Sequence, residues 1–303
     1  MRIAIAMPHF FKPDGEGHYG SVRDNYQPRV DALTQCLTNL HSHFGAKQFH
    51  FYYSDHMEFR PSNQSTQVEV HVFLCTKDDS HILLQLTENN EEINELFWHV
   101  PVECDDPKLL GFECHKVLAD RLGDYDYYCY LEDDLIIHDP YFLRKIQWFT
   151  EQMGDRCLLQ PNRFEVMRSP LGQKVYIDPD FEANLGKNPL FAHNFFEKRN
   201  IQGRFLDRDV KFERAGDPHS GCFFLTSDQM RRWAQRPFFL DRDIGFIGPL
   251  ESAASLGLMK TFRVYKPSAE NANFLELQHN GTWNSRFLID NLDTVIFPAR
   301  SDA

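Results

Sequence analysis

YDYYCYLEDDLIIHDPYF, residues 125–142, sets three consecutive acids between two apolar runs. Tyr, Cys and Leu from 125 to 131 have the β-propensity of a buried strand. Adjacent carboxylates at the end of such a strand repel one another and resist burial. Either they turn the chain at the surface, where acids favour a following helix N-terminus, or something positive sits against them. Asp139-Pro140 after LIIH is an N-cap followed by Pro at the first helical position, which predicts a helix over 140–153.

Outward from that stretch, 107–123 reads as a helix that feeds the acidic strand. Leu109, Leu110, Val117 and Leu122 are its expected inward positions, and Gly123 ends it. At the start of the chain, RIAIAM (residues 2–7) is an apolar strand. Leu33, Leu37, Leu40 and Phe44 recur at helical spacing before Gly45. FHFYY and VEVHVFL, residues 49–53 and 68–74, look like strands. The first half therefore alternates β and α, which predicts a mostly parallel, twisted sheet flanked by helices. Such a sheet binds ligands at the carboxyl ends of its strands, and Glu132, Asp133 and Asp134 sit at one of those ends. Other Asp-x-Asp pairs, such as Asp207/Asp209 and Asp241/Asp243, end no comparable strand. The second half is less regular. It carries a strand GCFFLT, helices near 227–235 and 248–259, a strand KTFRVYKP and a loop-rich tail.

Composition narrows the function. The 303 residues are 42% hydrophobic and 25% charged, as in ordinary globular chains. The net charge of −12 argues against non-specific nucleic-acid binding but allows an anionic small ligand if local positive charge or a metal receives it. No stretch approaches the ~20 apolar residues of a membrane span, which leaves only peripheral membrane contact open. MRIAIAMPHF reads as a first strand rather than a signal peptide. Seven scattered cysteines with no close CxxC pair suit a reducing compartment, so a cytoplasmic setting is expected. The loop DGEGHYG lacks both GxGxxG and GK[ST] and is neither a Rossmann fingerprint nor a P-loop.

The run GDYDYYCYLEDDLII resembles the metal-binding segment of GT-A fold glycosyltransferases, in which a DxD-type motif, in some members Glu-Asp-Asp, ends a central strand. RVDALTQCLTNL and KLLGFECHKVLADRL stand where that fold places its first helix and the helix before the motif. The resemblance implies one GT-A-like domain over 1–303, with a nucleotide-sugar half over 1–139 and an acceptor half over 140–303. It implies Mn²⁺ or Mg²⁺, a UDP- or GDP-linked sugar donor and a hydroxyl acceptor. Carried over, Asp134 is the direct metal ligand, and Glu132 and Asp133 contact the donor or orient the site. Met7 and Pro8, late in the first strand, are further donor contacts. His279 in ELQHNGTW is a candidate to complete the metal shell, since neutral imidazole beside carboxylates suits Mn²⁺.

An inverting enzyme also needs a carboxylate base. Glu251, in the first turn of a helix started by Pro249, is the first candidate, and Asp243 and Asp241 compete with it. His219, Ser220 and Gly221 are expected to line the acceptor cleft. Three alternatives stand beside this reading. A metal-independent GT-B glycosyltransferase needs a second Rossmann domain. A sugar-nucleotide pyrophosphorylase needs a glycine-rich loop with a basic residue. A non-catalytic nucleotide- or carbohydrate-binding protein on the same scaffold needs neither.

Overall fold

The computed structural model describes residues 1–13, 21, 25–45, 50–66, 68–169, 172–178 and 197–291. The glycine-rich loop at 14–20 and much of the long loop region after 178 lie outside them.

The chain opens with β1 (Arg2–His9), buried from Ile3 to His9. That continuous burial marks a strand covered on both faces. Its alternation sorts the residues by size: Ile3, Ile5 and Met7 join one core layer, and Ala4 and Ala6 join the other. Next comes α1 (Gln27–His43), with Val30, Leu33, Leu37 and Leu40 buried. The expected strand at 49–53 does form, as β2 (His50–Tyr53), but outside the main sheet. It pairs only with β3 (Glu58–Pro61) in a two-stranded hairpin, and all its side chains are exposed. Its aromatic composition mimicked a core strand.

The second strand of the main sheet is β4 (Glu69–Lys77). It leads through α2 (Leu83–Asn89) to β5 (Trp98–Val102), which the sequence did not signal. Then α3 (Leu110–Ala119) crosses to β6 (Tyr127–Leu131), whose five residues are all buried. The two-residue β7 (Leu135–Ile136) follows the acids, and α4 is Phe142–Met153. That helix starts two residues later than Asp139-Pro140 predicts. Asp139 instead accepts from Tyr141 N at 2.8 Å in the preceding turn.

The second half is more regular than its sequence suggests. It supplies β8 (Cys157–Leu159), β9 (Asn162–Ser169), β10 (Gly172–Tyr176), β11 (Asn200–Phe205), β12 (Arg208–Arg214), β13 (Cys222–Thr226) and α5 (Ser227–Ala234). It continues through α6 (Pro249–Met259), β14 (Arg263–Pro267), β15 (Glu276–His279) and α7 (Trp283–Asp290).

The main sheet runs β13-β6-β1-β4-β5. β1 is parallel to both β4 and β6, β4 is parallel to β5, and only β13 is antiparallel. The expected mixed α/β architecture with a mostly parallel central sheet is thus observed. Core residues of α1 and α4 share one layer, and those of α3, α5 and α6 share the other. From β1 the chain builds outward to β4 and β5, then returns to place β6 on the other flank. The strand order therefore reverses at β1 and β6, where such sheets open a ligand crevice at their carboxyl ends. Two four-stranded sheets, β10-β9-β15-β7 and β11-β12-β14-β8, are built mostly from the second half. All seven cysteines are buried and free. Among the described residues no helix is long and apolar enough to cross a membrane.

Candidate active site

The acidic triplet leaves β6 at this reversal point and is held from two sides. Glu132 N donates to Gly221 O at 2.9 Å, and Asn280 N donates to Asp134 O at 2.8 Å. Each acid has a different environment. Asp133 turns inward to the last residue of β1 and the first turn of α1. Its Oδ2 lies 2.5 Å from His9 Nδ1, and both its oxygens accept from Arg29 Nη2. Burial alone would raise its pKa, but Arg29 and His9 bring it down to about 2. Asp133 is therefore an ionised anchor, saturated by protein groups.

Glu132 is the opposite case. Burial pushes its carboxyl up to about 8, Arg163 offsets this in part, and Asp134 and Glu251 add to it. Arg163 Nη1 stands 4.0 Å from its Oε2. Such a carboxyl keeps its proton at neutral pH. Gly221 makes room for it. With φ +62, Gly221 takes the left-handed conformation, and a Cβ there would lie 2.6 Å from Glu132 Oε2 and 2.8 Å from Leu135 Cδ1. Gly221→Ala is expected to cost about 1–3 kcal/mol through backbone strain, read as a lower melting temperature. An unchanged melting temperature would contradict this packing.

Asp134 is the most open of the three. Its Oδ2 is 3.4 Å from Arg29 Nη1 and 3.7 Å from His279 Nε2. Register brings His279 here: in β15 it stands opposite Leu135 of β7. Burial would lower the pKa of His279, but Glu165 and then Asp134 hold it above its ordinary value.

Two buried carboxyl oxygens in the cluster, Glu132 Oε1 and Asp134 Oδ1, have no hydrogen-bond partner among the described residues. Buried polar atoms are normally paired. Among the described residues no three His, Cys, Asp or Glu side chains gather closely enough to hold a metal. Asp134 and His279 are the two side chains here that could share a hard divalent cation, with phosphate and water completing its shell. They do not form a closed protein cage.

Around the triplet stands a charged support that the sequence reading missed. Arg163 and Glu165 alternate along β9 and so share a face. Arg163 Nε and Nη2 clamp Asp178 at 2.6–3.1 Å, and Lys266 Nζ adds a contact at 3.6 Å. Burial would raise the Asp178 carboxyl, but Lys266 and Arg163 lower it to about 2 from the ordinary 3.8. A depressed folded-state pKa contributes stability above the unfolded value, and that stability is lost as pH falls through the folded value. The contribution of Asp178 is therefore complete above about 3.8 and disappears toward about 2. Arg163→Ala leaves this carboxylate buried with only Lys266, and is expected to cost about 3–5 kcal/mol in denaturant unfolding at neutral pH. The deficit should shrink in acid. A variant as stable as the parent would refute the clamp.

Glu251 lies where the sequence places it, in the first turn of α6 behind Gly248 and Pro249. α6 is seated tightly against α3. A Cβ on Gly111 would lie 2.8 Å from Ala253 Cβ and 3.0 Å from the Tyr130 hydroxyl, and His115 Nε2 meets Ala253 O at 2.9 Å. Glu251 is close enough to Glu132 to raise its pKa, and it has no ion-pair partner among the described residues. Asp243 differs. Lys260 binds it at 2.7 Å and, with Gly245 N, holds its pKa below the usual carboxylate range. Asp241 sits 4.0 Å from the same lysine.

Other candidates have buried side chains. Met7 is fully buried in the core layer that includes α1, and Pro8 is buried within β1. His219 and Ser220 are buried, and Ser220 Oγ donates to Pro161 O. What the ends of β1 and β4 offer instead is a cavity of about 470 Å³ whose lining includes Phe11, Lys12, Tyr26, Asp79, Ser80 and His81.

Neither protein-family models nor curated proteins match the chain. Solved structures do. S. aureus TarS is 12% identical over 98% of this chain and 41% of its own, with a TM-score of 0.40. TarS 1-349 in complex with UDP-GlcNAc is 11% identical over 92% and 58%, with a TM-score of 0.41. GalNAc-T7 with UDP, GalNAc and Mn²⁺ is 6% identical over 91% and 42%, with a TM-score of 0.47. The chain thus spans less than two thirds of each of these proteins. Likeness at this level carries no weight for the site, which stands on its own contacts.

Proposed function

We propose that the protein is a glycosyltransferase of the GT-A kind its sequence resembles, moving a sugar from a UDP- or GDP-linked donor to a hydroxyl acceptor with inversion. The acceptor is a glycan, a lipid-linked sugar or a small molecule. One observation carries the reading. At the point where strand order reverses, Asp134 keeps a buried oxygen without a partner among the described residues and has His279 Nε2 at 3.7 Å from its other oxygen. That arrangement suits a divalent cation shared with a diphosphate. Mn²⁺ or Mg²⁺ held by Asp134 and His279 would neutralise charge on the departing diphosphate.

The protein's own groups do the rest. Asp133, locked by Arg29 and His9, fixes the turn that carries Asp134. Glu251, with no ion-pair partner among the described residues, accepts the proton of the acceptor hydroxyl. The cavity at the ends of β1 and β4 is of a size that suits a nucleoside. The free, buried cysteines agree with a reducing, cytoplasmic setting.

A second reading, nucleotide binding without metal or turnover, draws on Asp133 being saturated and on the absence of a three-ligand cluster among the described residues. A GT-B arrangement draws no such support. The second half contributes mixed and antiparallel strands, and no second parallel β-α-β sheet is found among the described residues. A thermal-shift screen of nucleotide sugars in Mn²⁺ and in EDTA separates the readings, since a bound ligand stabilises by mass action. A donor that stabilises only with Mn²⁺ is expected. Equal shifts in both would reject the metal-assisted site.

A further inference from the structure

We propose that Glu165 is a positioning residue whose carboxylate fixes the His279 ring with Nε2 turned to Asp134. The proposal rests on the reading of Asp134 and His279 as a cation-holding pair. Glu165 is fully buried on β9, and a buried carboxylate needs its oxygens satisfied. Oε2 accepts from Ser285 N at 2.7 Å. Oε1 takes Asn284 N at 3.3 Å and Asn284 Nδ2 at 3.1 Å, and faces His279 Nδ1 at 3.3 Å. An ionised carboxylate only accepts hydrogen bonds. His279 must therefore carry a proton on Nδ1, and Nε2 becomes the ring atom able to face a cation.

Backbone contacts alone do not set the ring. The pairing of His279 with Leu135 and the bond from Asn280 N to Asp134 O place the Cα beside the triplet but leave the side-chain torsions open. Glu165 sets them through Nδ1. A Cβ on Gly281 would lie 2.2 Å from His279 Cε1 and 2.7 Å from Nδ1, so the ring occupies space that only glycine leaves empty, and any side chain there would displace it.

The rival explanation is that Glu165 only satisfies the first amides of α7. Glu165→Gln tells the two apart. The 2.7 Å bond from Ser285 N claims its carbonyl oxygen at the Oε2 position, so its NH₂ takes the Oε1 position beside His279 Nδ1, and the exposed Asn284 side chain turns its own oxygen toward it. That makes Nδ1 an acceptor and moves the neutral ring's proton to Nε2. Long-range ¹H–¹⁵N NMR of the metal-free protein at alkaline pH, where the ring is neutral, is expected to show the Nδ1–H tautomer in the parent and Nε2–H in Glu165→Gln. Titration with Mn²⁺ alone, followed by loss of the free-ion EPR signal, should show about 10–100-fold weaker binding in the variant. Gly281→Ala, which keeps Glu165, should weaken Mn²⁺ similarly by displacing the ring, and serves if Glu165→Gln fails to fold. An Nε2–H tautomer in the parent, or an unchanged tautomer in Glu165→Gln, overturns the proposal. So does unchanged Mn²⁺ affinity in the Gly281 variant. If the tautomers behave as expected but the parent binds no Mn²⁺, the positioning stands and the cation-holding pair falls.

Discussion

Glu251→Gln is expected to cut sugar transfer by about 10²–10⁴-fold, the usual worth of a general base, while leaving nucleotide binding unchanged. The geometry separates these effects. Glu251 enters from α6 and acts on Glu132 electrostatically, whereas Asp134 lies in the turn after β6 and His279 on β15. The packing of α3 on α6 holds the first turn in place, so the amide should occupy the same position without accepting a proton. Asp243→Asn should have a small effect, because Lys260 already neutralises that carboxylate at 2.7 Å. Initial rates of transfer with saturating donor decide the matter. An active Glu251→Gln beside a dead Asp243→Asn or Asp241→Asn would move the base to that aspartate. Activity in all three would favour a retaining enzyme without such a base.

Asp134→Ala is expected to abolish the strengthening of nucleotide binding by Mn²⁺. Partners of a metal's ligands are commonly worth about 10–100-fold in affinity, so a direct ligand should cost at least that. The fold should survive. Asp134 Oδ1 has no hydrogen-bond partner among the described residues, and its ion pair with Arg29 is long at 3.4 Å. Calorimetric titration of UDP and GDP in Mn²⁺ and in EDTA should give the variant one affinity in both, equal to that of the parent in EDTA. A variant that still responds to Mn²⁺ would remove Asp134 from the metal.

The parts of the fold readable in the sequence were those whose pattern is local. β1 and β6 are continuous apolar runs, α1 shows helical spacing, Asp139-Pro140 announces α4 to within two residues, and Pro249 starts α6 where expected. β11 and β12 escaped because their faces are half exposed and their inward side includes the buried Arg214, which breaks the apolar alternation. FHFYY misled for the converse reason, being aromatic yet exposed.

The site divides in the same way. The triplet announces itself by ending a strand. Its partners come from distant segments: His9 and Arg29 meet Asp133 across 124 and 104 residues, and Glu165 meets His279 across 114. Only tertiary pairing creates those contacts. The one local hint was Arg163-x-Glu165, opposite charges on one face of a strand, where apolar residues are the rule.

The most direct test is donor turnover. The parent protein is incubated with the nucleotide sugar that gives the largest Mn²⁺-dependent thermal shift, and free nucleoside diphosphate is measured over time with Mn²⁺ and with EDTA. The account predicts many equivalents released per protein with Mn²⁺, accelerated by a hydroxyl acceptor, and little release in EDTA. Tight nucleotide-sugar binding with no release beyond a single equivalent, or release at the same rate in EDTA, would contradict it.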